Sequence, residues 1–301
     1  MYDMIIAGAG TAGLSAAVYG ARAGKSVLVL ESKNIGGQII DSPEVDNYPG
    51  IKSISGFEFI RGLQEQAVEM GAEIKNLSVE SVSDRGGIKE VRTPGAIFES
   101  RTLILATGVV RRKLGLEGEE RLIGQGVSYC AVCDGAFYRG KDVAVVGGGN
   151  TALEDAAYLS GYCRKVYLIH RRDQFRGQSG LVNTLLRKKN VEFILESVVS
   201  SFRGNEKLEG VIVKNTVTNI ISELKVSGIF VAIGQMPQNE KFADVVAIDS
   251  DGYILADEFC RTSTPGIFAA GDCRVKKVRQ LVTAAADGAV AALEACEYII
   301  S

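Results

Sequence analysis

The chain has one histidine, His170, in 301 residues. A lone imidazole argues against a histidine-based metal centre and leaves His170 as the one residue that could serve a histidine-dependent catalytic triad. Proline is scarce as well, at five residues against 35 glycines. The glycines therefore mark tight turns and close backbone approaches, not disordered linkers. No sign of charge dominates: 34 lysines and arginines face 36 aspartates and glutamates, for a formal net charge of -2. That balance leaves no broad basic field for nucleic acid. The basic run Arg187, Lys188 and Lys189 reads as a solvated helix end. No run of about 18 apolar residues occurs, so no membrane-spanning helix and no membrane partner are expected. The opening MYDMIIAGAG has neither the basic n-region nor the apolar stretch of a signal peptide. Six cysteines are too few for a secreted disulfide framework. A cytoplasmic location is the expectation, and there a CxxC pair is more often redox-active or metal-binding than structural.

What is present is a device used twice. Met4 to Ala7 is a short apolar strand, GAGTAG follows from Gly8 to Gly13, and LSAAVYGARAG reads as a helix ending at Gly24. SVLVLE is a second strand with Glu31 at its tip. Strand, glycine turn, helix, strand and acid in that order form a dinucleotide site. Gly8 permits the tight turn, Gly10 lets backbone approach a pyrophosphate, and Gly13 lets helix and strand pack closely. Glu31 is placed to accept hydrogen bonds from a ribose. The device returns in DVAVVGGGNTA, with Gly147, Gly149 and then Ala152 in the third glycine position. ALEDAAYLSGY reads as its helix and KVYLIH as its second strand. A shift of 139 residues superposes Gly147 on Gly8 and His170 on Glu31. The chain therefore contains an internal duplication.

The copies differ at the tip of the second strand. Glu31 ends the first, whereas His170, Arg171 and Arg172 end the second, with Arg176 following. A carboxylate repels a ribose 2′-phosphate, and arginines attract one and grip it in bidentate fashion. The first site is expected to hold a nucleotide with a free 2′-hydroxyl, such as FAD or NAD, and the second NADP(H). The strands LILATG and IFVAIG each follow an alternating, turn-rich stretch consistent with a small antiparallel sheet closing each unit, and GIFAAGD is a third strand. A long Ala-rich helix completes the chain. If GIFAAGD returns to the first unit, the fold is α/β with two Rossmann-like three-layer ββα dinucleotide-binding domains, the second inserted into the first. The expected division is 1–113 with 242–301, and 114–241, with crossings near 109–116 and 235–244.

GAGTAG, GGQ at 36–38, NYPG at 47–50, ATG at 106–108, SYCAVCDG at 128–135, GGGNTA at 147–152, HRRDQFR at 170–176 and AAGDCR at 269–274 occur together in one order. In these motifs the chain resembles the low-molecular-weight thioredoxin reductases over essentially its whole length. The resemblance implies an FAD domain interrupted by an NADPH domain, and a homodimer. It implies that Gly8, Gly10, Gly13, Glu31, Gln38, Asn47, Asp272, Arg279 and Gln280 hold FAD. By the same resemblance Gly147, Gly149, Asn150, Thr151, His170, Arg171, Arg172 and Arg176 hold NADPH. Glutathione-reductase-like enzymes carry their redox cysteines soon after the first dinucleotide motif, and GGQIIDSPEVDNYPG has none.

The pair Cys130 and Cys133 could clasp a metal, lock a loop or carry electrons. A zinc site needs about four ligands, and Cys163, Cys260, Cys273 and Cys296 are scattered with no second CxxC. No metal is expected. Cys163 and Cys296 fall in apolar helical patterns and read as core; Cys273 reads as packing. The resemblance implies a Cys130–Cys133 disulfide that takes electrons from NADPH through FAD and passes them to oxidised thioredoxin or a thioredoxin-like protein. An alternative is a related flavin disulfide reductase with a glutaredoxin-like acceptor or another donor. The arginines after His170 count against a ferredoxin-fed enzyme. By resemblance Cys133 faces the flavin, Cys130 attacks the partner, and Asp134 is the general acid. Pair and NADPH would then share one domain and the flavin would lie in the other. A swinging NADPH domain, hinged at the two crossings, is the expected solution.

Overall fold

A computed structural model describes residues 1–42 and 44–300. The chain forms two compact units, Met1–Val110 with Met236–Ser301, and Arg111–Gln235. In the first, parallel strands Glu73–Asn76, Val27–Glu31, Tyr2–Ala7 and Ala96–Leu105 lie side by side in that order. Ile267–Ala269 pairs in parallel with Leu103–Leu105, so the last strand does return to the first unit. The strands Ile88–Thr93 and Ser81–Arg85 continue the same sheet in antiparallel fashion from Ala96–Ser100. Among the described residues, the small antiparallel sheet expected to close this unit is thus an extension of its parallel sheet. Ala96–Leu105 is ten residues long and serves both partners, its early half antiparallel and its later half parallel.

The second unit repeats the order. Val191–Ile194, Lys165–Ile169, Asp142–Val146, Gly228–Val231 and Val127–Ser128 form a parallel sheet. A distinct antiparallel sheet of Ser197–Arg203, Gly210–Asn215 and Ile221–Leu224 accompanies it.

Strand periodicity divides the core. Met4, Ile6, Val27 and Val29 face one side of the first sheet, towards helices Thr11–Arg22 and Leu281–Ile300. Ile5, Ala7, Leu28 and Leu30 face the other, where Val82, Val91 and Phe242 cover them. The second unit does the same with Val143 and Val145 against Ala144 and Val146. Both faces are covered, so these strands read as continuous apolar runs instead of alternating ones.

Small side chains set the spacing of the helical layer. Gly13, Ala16, Ala17 and Gly20 are buried on Thr11–Arg22. At Gly288 on the last helix an added Cβ would stand 2.1 Å from the Ala12 carbonyl oxygen. Ser15 Oγ donates to the Ala285 carbonyl at 2.7 Å, joining the same two helices.

Two sequence expectations change. The helix after the second glycine turn ends at Leu159, and Cys163 lies in the turn beyond it, although it is buried as expected. Asn190 Nδ2 donates to the carbonyls of Ser160 and Cys163, drawing both away from helical bonding. The crossings are also narrower than 109–116 and 235–244. Leu114 and Leu116 pack on the second unit's core. Asn239 and Phe242 are fully buried in the first. What remains are the short strands Val110–Arg111 and Gln235–Met236, which pair with each other.

At Gly13 a Cβ would lie 1.8 Å from the Gly8 carbonyl oxygen, a fixed backbone atom. Gly13→Ala should therefore cost about 3 kcal/mol or more, read as a lowered denaturation midpoint. An unchanged midpoint would mean that the turn relaxes freely.

Candidate active site

The two glycine turns agree at the level of single atoms. Gly8 N–H donates to Leu30 O at 2.8 Å, and Gly147 N–H donates to Ile169 O at 3.0 Å. An added Cβ at Gly8 would meet Ala106 O at 2.4 Å, and one at Gly147 would meet Ala232 O at 2.3 Å. Beside these crowded positions each turn keeps an open one. At Gly10 the nearest atom to a Cβ would be Gly36 O at 3.9 Å, and at Gly149 nothing lies within 4 Å. Each open glycine caps the N-terminus of the following helix, where unpaired N–H groups favour an anion. The residues present therefore fit a pyrophosphate at each turn.

Around the first turn, Glu31 accepts from Ala9 N–H at 2.7 Å and from Lys33 N–H at 2.9 Å. Gly36 N–H donates to Ala9 O at 2.8 Å, which places the GGQ segment against the turn. Gln38 Nε2 then donates to Val109 O. Asn47 and Gln280 meet through Asn47 Nδ2 and Gln280 Oε1 at 3.4 Å. Asp272 lies in the short 3-10 helix Gly271–Cys273. Arg279 Nε approaches the Asp272 carbonyl at 3.5 Å, and its guanidinium covers the Tyr253 ring at 4.4 Å. All nine residues expected at the FAD site thus lie in the first unit.

Around the second turn, Arg176 and Gly177 N–H both donate to Gly148 O, at 2.8 and 3.2 Å. Gln178 N–H donates to Asn150 Oδ1 at 2.8 Å. The arginine loop is therefore bonded directly to the glycine turn. Arg171, Arg172 and Arg176 are exposed, as are Asn150 and Thr151. Among the described residues, none of the three arginines forms an ion pair. His170 differs from them. Its ring is buried, with an added Cβ at Gly148 falling 2.0 Å from Cε1. It stacks on Phe175 with centroids 5.2 Å apart, and Nε2 lies 3.1 Å from Gln174 O. His170 holds the arginine loop from below.

Cys130 and Cys133 form a disulfide with Cα atoms 5.3 Å apart. Cys130 caps the short helix Ala131–Asp134, and Cys133 N–H points at Cys130 Sγ at 3.1 Å. Ser128 Oγ donates to Asp134 Oδ2 at 2.6 Å and accepts from Cys130 N–H at 3.1 Å. Burial, followed by the charge of Asp134, pushes the Tyr138 hydroxyl up to about 12. On the preceding segment Glu119 is buried and accepts from the N–H groups of Leu114, Gly115 and Leu116. Tyr129, next to Cys130, donates its hydroxyl to Glu119 at 2.7 Å, and Arg111 covers the Tyr129 ring at 5.3 Å.

A family model described as pyridine nucleotide-disulphide oxidoreductase matches residues 2–289. The thioredoxin reductase of Peptoclostridium acidaminophilum is 41% identical over 306 residues, spanning 99% of this chain and 97% of that protein. The bifunctional thioredoxin reductase/thioredoxin of Mycobacterium leprae is 43% identical over 302 residues, spanning 99% of this chain and 66% of its own length. The crystal structure of thioredoxin reductase from Streptococcus pyogenes MGAS5005 superposes with a TM-score of 0.96 at 41% identity, covering 100% of this chain and 98% of that one. The chain belongs to the thioredoxin reductases, within the pyridine nucleotide-disulphide oxidoreductase family. Membership implies use of a flavin and a pyridine nucleotide. Among the described residues, no helix is long and apolar enough to cross a membrane.

Several residues of this chain escaped the sequence motifs. Ser128, Glu119 and Tyr129 brace the redox segment. Asn239 is fully buried, donating to Gly252 O and Cys273 O and accepting from Thr107 Oγ1. Asp287 accepts from Gly271 N–H, Arg274 and Lys276, fixing the loop that carries Asp272 to the last helix. Two signals were available: one acid inside the apolar run LVTAAADGAVAAL, and the two hydroxyl residues Ser128 and Tyr129 in GVSY.

Burial pulls the His170 pKa below the usual 6.5, and the charges of Arg176, Arg171 and Arg172 pull it further, against the opposing bond to Gln174 O. A lowered folded pKa gives stability that is complete above about pH 6.5 and lost as pH falls towards the folded value. The lone imidazole should give a single pair of ring C–H NMR signals that titrate together with a midpoint below 6.5. A midpoint above 6.5 would contradict the buried placement.

Proposed function

We propose that this chain is an NADPH-dependent thioredoxin-disulfide reductase that uses FAD and the Cys130–Cys133 disulfide. The observation that carries this reading is the disulfide, formed in the same unit as a nucleotide turn flanked by three exposed arginines. Gly147, Gly149, Asn150 and Thr151 would hold the NADPH pyrophosphate. Arg171, Arg172 and Arg176 would hold its 2′-phosphate, with His170 supporting their loop. Gly8, Gly10, Gly13, Glu31, Gln38, Asn47, Asp272, Arg279 and Gln280 would hold FAD in the other unit. FAD, when bound, supplies two-electron chemistry between nicotinamide and disulfide.

The chain's own residues then perform thiol–disulfide exchange. Cys130, giving its proton to Asp134, attacks one sulfur of the partner's disulfide, and a mixed disulfide forms as the partner's S–S bond breaks. The departing sulfur takes the proton back from Asp134. Cys133 attacks Cys130 Sγ, closing the enzyme's disulfide and releasing the second sulfur, again with transfer of one proton. The partner gains two electrons and two protons, and the enzyme dithiol loses the same. Thioredoxin is the acceptor that the relatives' names support, and in the Mycobacterium leprae relative both names occur in one chain.

Two units that each hold part of the path need relative motion. The single pairs Val110–Arg111 and Gln235–Met236 are the hinges of that motion, between residues anchored in either core. A homodimer in the cytoplasm completes the reading.

An anaerobic NADPH titration of the yellow protein should bleach its flavin absorbance. Arg171→Ala should weaken NADPH about tenfold or more while sparing NADH. Equal reduction by NADH and NADPH in the unaltered protein would remove the cofactor assignment. Cys133→Ser should keep flavin reduction and abolish thioredoxin turnover. Crosslinking the two units should stop turnover, and full activity in a locked enzyme would rule out the hinge.

A further inference from the structure

We infer that Ser128 is the positioning residue that lets Asp134 work in both protonation states. The inference rests on the assignment of Asp134 as the proton-transfer group. In that role Asp134 must be a carboxylate and a carboxylic acid once each per turnover, without losing its place.

Ser128 is 3% exposed, on the strand Val127–Ser128, which Phe230 and Ile229 pair from the neighbouring strand. A hydroxyl has one proton and two lone pairs. One lone pair is used by Cys130 N–H at 3.1 Å. The proton has two places to go: Asp134 Oδ2 at 2.6 Å, or the Cys130 carbonyl at 3.4 Å. With Asp134 ionised, the hydroxyl donates to the carboxylate. With Asp134 protonated, the acid O–H donates to the second lone pair of Ser128, whose proton turns to the Cys130 carbonyl. Rotation of one O–H bond thus serves both states while heavy atoms stay in place.

The same hydroxyl accepts from the backbone N–H of Cys130, the proposed attacking residue, in both states, so carboxyl and nucleophile share one anchor. Other described groups also lie around the Asp134–Gly135 turn. Tyr138 faces it from the helix Gly135–Tyr138, and its raised pKa keeps its phenol protonated. Tyr162 approaches Gly135 from beyond helix Asn150–Leu159, with Arg139 over its ring. Both disulfide cysteines precede Asp134, Cys133 beside it in the helix and Cys130 as the cap.

A bond to the carboxylate is stronger than one to the neutral acid. Loss of the hydroxyl should therefore raise the Asp134 pKa. For the holoenzyme reducing thioredoxin with NADPH, Asp134→Asn should slow turnover by about a hundredfold or more and abolish the acid limb of the pH–rate profile, because Asp134 must be ionised to take the Cys130 proton. Ser128→Ala should move that limb up by about one pH unit, and Ser128→Thr should restore it. Flavin bleaching by NADPH should be unchanged in all three. In the Asp134→Asn background, Ser128→Ala should have no further effect on rate. If Ser128→Ala folds poorly, Ser128→Gly tests the same loss without adding a side chain. A lowered melting temperature with an unmoved limb would make Ser128 merely structural and overturn the inference. So would an equal rate loss in the Asp134→Asn background. A normal rate and profile for Asp134→Asn itself would instead overturn the proton-transfer assignment on which the inference rests.

Discussion

A carbonyl that leaves no room for a methyl group governs the first unit. Gly8 O occupies the place where a Gly13 Cβ would be, at 1.8 Å, and the neighbouring strand end presses on Gly8 from Ala106. Strand, turn and helix meet there through backbone alone. The helix then lies close enough for the last helix to touch it at Ala12 and Gly288. Apolar layers packed this tightly have no slack for even one added carbon. The second unit relaxes the rule once, with Ala152 in the third glycine position, and keeps it at Gly147. Crowding on one side of each turn is what leaves N–H groups presented on the other.

Carboxylates hold the loops that this packing leaves outside. Glu31 gathers Ala9 and Lys33, Glu119 gathers three successive amides and Tyr129, and Asp287 gathers Gly271, Arg274 and Lys276. A buried charge without such donors costs several kcal/mol. With them it fixes a loop in one conformation. The Asp287 pKa shows the competition: burial pushes it up, and the bonds from Arg274 and Lys276 bring it below the usual carboxylate value. Each of these acids secures a segment next to a proposed working group, namely the first turn, the redox cysteines and Asp272.

Much of this architecture was legible because it is local. Glycine spacing, apolar runs of strand length and an acid or arginines at a strand tip all lie within about thirty residues of one another. The duplication made each copy a check on the other. The braces were not legible, because their partners are far apart in sequence. Thr107 and Asn239 are separated by 132 residues. The crossings looked wide because charged and turn-forming residues fill 235–244, yet Asn239 there is polar and wholly buried. Polarity predicts exposure only where no backbone carbonyl waits to pair with it.

The sequence by itself determined two dinucleotide turns, one ending in an acid and one in arginines, and a cysteine pair just before the second. These follow from residue type and spacing along one continuous stretch. Tertiary structure alone decided where the side chains at those positions point. His170 matched Glu31 in register, yet its ring turns inward beneath Gly148, because Phe175 and Gln174 fold over it. Asp134 followed the cysteines in the sequence, but only the fold of the segment back onto Ser128 gave its carboxyl a fixed partner. Spacing sets which groups are near each other along the chain; contacts between separate segments set which atoms meet.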